Sequence, residues 1–146
     1  MKRGLTIVLL LALAACSPES SRAPRAGDTQ LAVQWPMASV PAENEQLAYL
    51  PGFGPVNRLY RARDEIVGAG GDLYSVGDTE ARGAVFNIYV YSDRVDATVQ
   101  RLVQLEKQGK VPAAMRIGVA DPLAATGEPA AYHVAWPVDL KTFDAK

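Results

Sequence analysis

Apolar and polar positions alternate from Leu31 to Trp35 (LAVQW), with Leu31, Val33 and Trp35 on one side and Ala32 and Gln34 on the other. That is the period of a half-buried strand, and Pro36 stops it. Residues 37–54 carry Pro41, Pro51, Gly52 and Gly54 and read as irregular chain with a helical turn near Glu43 to Leu47. Gly54-Pro55 then places proline at a first helical position. Val56, Leu59, Tyr60, Arg63 and Val67 follow at i, i+3, i+4, i+7 and i+11, which predicts a helix from Pro55 to Val67 ended by Gly68. Between Gly68 and Ala84, glycines separate Leu73, Tyr74 and Val76, as in an edge strand or hairpin arm. Val85 to Tyr91 (VFNIYVY) has β-branched or aromatic residues on both faces and predicts an interior strand.

Ser92 or Asp93 is placed to cap a second helix. Its apolar stripe is Val95, Val99, Leu102, Val103 and Leu105, with Asp96, Gln100, Arg101, Gln104 and Lys107 toward water; Gly109 ends it and Pro112 prevents restart. Met115 to Ala120 and Ala131 to Trp136 predict two more strands, joined by the loop Asp121 to Pro129, and the tail after Pro137 reads as irregular. Two helices alternating with four or five strands predict an α+β domain, an open-faced α/β sandwich that is ferredoxin-like or a close variant, with both helices on one sheet face.

On that plan Phe86, Ile88 and Val90 face the helices, and Asn87, Tyr89 and Tyr91 face the uncovered side. The neighbouring strand buries Met115, Ile117 and Val119 and turns Arg116, Gly118 and Ala120 outward, where Gly118 leaves space for an aromatic ring. Asn87, Tyr89, Tyr91 and Arg116 are therefore the candidate contact residues, since tyrosine and arginine combine contact area with a polar handle. Two other outcomes stay open: residues 37–51 fold back over this face, or the tyrosines simply finish a wet sheet.

The first fifteen residues follow a different pattern. Lys2 and Arg3 precede an apolar run from Leu5 to Ala15 of about eleven residues, where a bilayer span needs roughly 20. Residues 1–15 are thus read as an export signal. Leu13-Ala14-Ala15-Cys16 resembles the lipobox of bacterial lipoproteins, and Cys16 is the chain's single cysteine. The resemblance implies cleavage before Cys16, acylation of its thiol and, with Ser17 following, residence at the outer membrane. Ser17 to Gln30 (SPESSRAPRAGDTQ) has no aromatic or large aliphatic side chain, so residues 16–30 read as lipidated cysteine plus flexible tether and 31–146 as one domain. Fully extended, fourteen tether residues reach roughly 46 Å.

Charge and chemistry narrow the function. The formal net charge of −1, with Lys2 and Arg3 lost along with the signal, provides no cationic field for nucleic acid. With one histidine, His133, and its only cysteine committed to lipid, the chain cannot build a His/Cys metal cluster or a Cys-His nucleophile. Ser75 in LYSVG lacks the first glycine of a nucleophile elbow, GAGGDL misses the phosphate-binding glycine patterns, and Asp72, Asp78 and Glu80 lack the spacing of a calcium loop. No enzyme, metal or cofactor is expected. The sequence points to a lipid-anchored periplasmic protein-interaction module, an envelope-machine accessory or an immunity-type inhibitor, held to the membrane through Cys16 and contacting an envelope protein. A small-ligand sensor with a pocket beside loops 68–84 and 121–130 is the alternative, and a carboxylate-based hydrolase the third.

Overall fold

The structure is a computed structural model that describes residues 22–50, 52–121 and 131–145. The signal segment, Cys16 and most of the loop after Asp121 lie outside the described residues. The alternating run around Leu31 forms β1 (Thr29–Pro36), followed by short 3-10 turns at Met37–Ser39 and Glu45–Leu47. Then come α1 (Pro55–Gly70), β2 (Ser75–Arg82), β3 (Val85–Ser92), α2 (Val95–Lys107), β4 (Arg116–Ala120) and β5 (Tyr132–Trp136). The sheet order is β2-β3-β1-β4-β5, and every pair is antiparallel. The first four strands thus have the ferredoxin-like order, with β5 added outside β4. The architecture is the α+β open-faced sandwich that the patterning predicts.

One core joins both helices to one face of the sheet. Leu31, Val33, Trp35, Phe86, Ile88, Val90, Ile117 and Val119 meet Leu59 and Ile66 of α1 and Leu102 and Leu105 of α2, all buried. The stripe on α1 is turned from the predicted one. Leu59, Ala62 and Ile66 are buried, whereas Tyr60 is half exposed, its ring centre 5.5 Å from that of buried Phe86 in a T-shaped contact. Ile66 is buried and Val67 only partly so, which places the buried stripe one residue away from the expected one.

Gly68 does not end α1. Helix geometry continues to Gly70, and the positive φ of +49° falls at Gly71. Gly70 is held by a close approach: a Cβ there would lie 2.9 Å from the ring of Tyr74, whose hydroxyl donates to the Ile66 carbonyl at 2.7 Å. At the other helix the predicted stop holds. Gly109 has φ +69°, its N–H donates to Glu106 O, and Lys110 N donates to Leu105 O, a Schellman end. The N-cap of α2 is Arg94, which makes no side-chain cap bond, and Ser92 stands two residues before it. Ser92 closes β3, and its buried hydroxyl accepts from Arg94 N and from Thr98 Oγ1 while donating to Leu73 O, which uses its full capacity.

Two expectations about the chain ends are corrected. Thr29 and Gln30 belong to β1, and the supposed tether lies on the domain from Arg22 onward. The Arg22 guanidinium forms a two-pronged pair with Asp28 at 2.8 and 2.7 Å and donates to Asp72 O, and both side chains of the pair are almost fully shielded. Gly27, at φ +89°, makes the turn that brings Asp28 back, and Arg25 N also donates to that carboxylate. The segment has no large aliphatic or aromatic side chain, and Ala23, Pro24 and Ala26 are exposed, so its ordering comes from charge-assisted hydrogen bonds.

The second correction concerns the face that carries no helix. The tail after Pro137 is irregular, as expected, but it returns across that face. Phe143 lies on Gly118, while the carbonyls of Asp144 and Ala145 accept from Gln34 and Asn87. Ala32 and Gln34, expected on a half-wet side, are consequently buried. Residues 37–50 instead run beside α1, where Val40 joins the core and Glu43 pairs with Arg61.

Candidate functional site on the helix-free sheet face

Strand pairing places the outward side chains in rows. Asn87, Gln34 and Arg116 form one row, and Tyr89, Ala32, Gly118 and Val134 the next. In a third, Tyr91 stands opposite Gln30, and Tyr132 opposite Ala120. The small residues Ala32, Gly118 and Ala120 leave a shallow floor between rings that rise from β3 and β5.

The tail divides the four predicted contact residues. Tyr89 and Tyr91 stand together on the part left uncovered, both half buried. Asn87 is 0% exposed, its Nδ2 donating to Ala145 O at 3.1 Å and its Oδ1 accepting from Gln34 Nε2 at 3.0 Å. It is a floor residue beneath the tail, which corrects its expected place on an open surface. Arg116 lies at the root of the tail, in a cleft of about 300 Å³ shared with Pro137, Asp139 and Leu140.

Sequence reasoning missed three partners of the tyrosines. Glu80 on β2 accepts from Tyr89 Oη at 3.1 Å, Gln30 Nε2 donates to Tyr91 Oη at 3.3 Å, and Tyr132 of β5 completes the group. The signal for Tyr132 was present in the strand Ala131 to Trp136, had its alternation been aligned with Gly118 and Ala120. Gly77 gives Tyr91 its place: it sits where the β2–β3 register shifts, and a Cβ there would lie 2.6 Å from the Tyr91 ring.

Burial raises the pKa of all three phenols. For Tyr89 the Glu80 carboxylate adds to the effect through its hydrogen bond and charge, and for Tyr91 the charge of Asp78 adds to it. Tyr132 is pushed up to about 12, by burial first and then by the neighbouring Tyr89 and Tyr91. The cluster is therefore neutral at physiological pH. It offers ring surface and hydroxyl tips to a partner, with the Glu80–Arg82 pair at its margin.

The groups considered for chemistry do not meet. Ser75 begins β2 and His133 lies on β5, at opposite edges of the five-stranded sheet, so no Ser-His relay forms between them. His133 is exposed, its Nδ1 at 3.2 Å from Asp121 Oδ1. Among the described residues no three His, Cys, Asp or Glu side chains gather as a metal site, and no helix is long and apolar enough to cross a membrane. A groove of about 550 Å³ between α1 and α2 is lined by Asp64, Glu65, Arg101, Gln104 and Lys110 among others. It is open and polar, the wrong chemistry for enclosing an apolar ligand. Compared with known proteins, the chain matches no family model, no curated protein and no solved structure at a significant level.

Proposed function

We propose that this is an exported, lipid-anchored envelope protein that acts by protein contact, as an accessory of an envelope machine or as an inhibitor of a toxin or hydrolase. The observation that carries the reading is the half-buried group Tyr89, Tyr91 and Tyr132 on a sheet face without a helix. Neutral rings with hydrogen-bonding tips on a rigid strand are what a protein interface uses as anchors. The lipobox-like Leu13-Ala14-Ala15-Cys16 supplies the attachment, with Cys16 as the acylated residue at the outer membrane.

Crosslinking in intact envelopes with the full-length lipidated protein tests both parts. Replacing Tyr89 and Tyr91 together by Ala should weaken recovery of the crosslinked partner by about 2 kcal/mol or more, as the loss of interface anchors does, while the thermal midpoint moves little. Cys16→Ala should abolish incorporation of labelled fatty acid. Undiminished crosslinking by the tyrosine variant would remove the contact reading, and labelling of the Cys16 variant would remove the anchor.

A further inference from the structure

The end of the tail is gripped by features built into the sheet. The Phe143 ring fills the space of a missing side chain, since a Cβ on Gly118 would lie 2.5 Å from its Cδ1 and 2.6 Å from its Cε1. Tyr132 flanks that notch, with its ring centre 5.6 Å from that of Phe143. One and two residues further along, two buried amides meet the tail's main chain: Gln34 Nε2 donates to Asp144 O at 2.7 Å, and Asn87 Nδ2 to Ala145 O at 3.1 Å. Gln34 is 2% exposed and Asn87 0%, and the bond between them fixes which way both amides point. Buried amides on a sheet face are costly unless their N–H groups are matched. These two are matched by a segment that belongs to no strand. Gln34 and Asn87 meet backbone carbonyls, which any extended peptide carries, whereas Gly118 and Tyr132 meet a ring.

We propose that this is a peptide-binding slot filled in cis. It takes an extended segment with an aromatic residue for the Gly118 notch, followed by two residues whose carbonyls reach Gln34 and Asn87. The protein's own tail occupies it until a partner's segment of the same pattern replaces it. The inference rests on the protein-contact reading and gives that partner its chemistry. The slot borders the tyrosine cluster, because Ala32 pairs with Gly118 on one side and Tyr89 on the other, so an incoming segment would lie against both. A covalently attached tail competes at an effective concentration of roughly millimolar, which makes an empty slot the right target for a test.

The probe is a synthetic peptide of residues 140–146 (LKTFDAK), titrated by calorimetry into the chain truncated after Asp139 and into the intact chain. The amide resonance of Gly118 reports where it binds. The slot requires saturable one-to-one binding to the truncated chain, at least tenfold weaker binding to the intact chain, and at least tenfold loss on replacing the peptide's phenylalanine by alanine. Gly118→Val in the truncated chain should cause a comparable loss. Absence of binding by a folded truncated chain, or equal binding of the ring-less peptide, overturns the proposal. If truncation prevents folding, the full chain with Phe143→Ala takes its place under the same criteria. Failure of that variant to fold would make the tail a structural element and also overturn the slot. Tyr89→Ala with Tyr91→Ala separates the two readings: a peptide that still binds while the envelope partner is lost leaves the slot intact, and a retained partner removes the tyrosine reading alone.

Discussion

Phe143 and Gly118 are a complementary pair. The ring occupies the volume that any other residue at position 118 would need for its own side chain. Gly118→Ala should therefore displace the tail, at a cost of about 1–3 kcal/mol as overpacking does, and should raise amide exchange in residues 140–145 more than in β1 or β3. In the Phe143→Ala background the same substitution should cost little. Denaturant titration of the four-member cycle measures that coupling.

Arg22 and Asp28 make stability depend on pH. The Arg22 hydrogen bonds, opposed by burial and assisted by the Arg25 N–H, hold the Asp28 carboxyl below its ordinary range. The folded-state pKa is thus lower than the unfolded value of about 3.9. The resulting stabilisation is complete above that value and is lost as pH falls through the folded-state pKa. Asp28→Asn should cost about 1.5–3 kcal/mol at pH 7, the range for hydrogen bonds to charged groups. Urea midpoints of variant and parent should converge as the pH drops from 5 towards 2.

On α2 the burial is one-sided. Leu102 is buried in the core and Gln100 exposed. Leu102→Ala should destabilise by about 2–5 kcal/mol, the range for a buried leucine truncation, and Gln100→Ala should leave the midpoint nearly unchanged. Similar losses from the two in the same titration would mean that the helix face is turned.

Ser75 is the reverse case. Its hydroxyl is buried and has no hydrogen-bond partner among the described residues. Ser75→Ala removes a desolvated polar atom with almost no change in shape, so stability should rise by on the order of 1 kcal/mol. Thermal unfolding of the two proteins checks the sign.

The fold was legible wherever burial follows a period. VFNIYVY, the stripe Val95, Val99, Leu102 and Val103, and the stops at Pro36 and Gly109 all fall where the patterning places them. Even the vacancy for a ring at Gly118 could be read from alternation alone. Which ring fills it could not, because Phe143 sits in a stretch with no period and its partner is 25 residues away in sequence. Arg22 was invisible for a different reason. A pattern built on apolar residues has no term for a segment ordered by one guanidinium and one carboxylate. Asn87 was placed on the correct face, but the tail that buries it left no mark in the sequence around β3.

The Arg22 latch has a consequence for reach. Only six peptide steps separate Cys16 from Arg22, roughly 20 Å at full stretch, less than half of what a tether running to Gln30 would allow. That leash is shorter than β1 itself, whose eight residues span about 26 Å. If Cys16 carries lipid as proposed, Arg22 could stand no further than the length of that leash from the acylated thiol, and the domain would be held close above the bilayer. On the proposed anchoring, a protein that meets Tyr89, Tyr91 and Tyr132 would have to approach, or reside at, the membrane that holds the lipid.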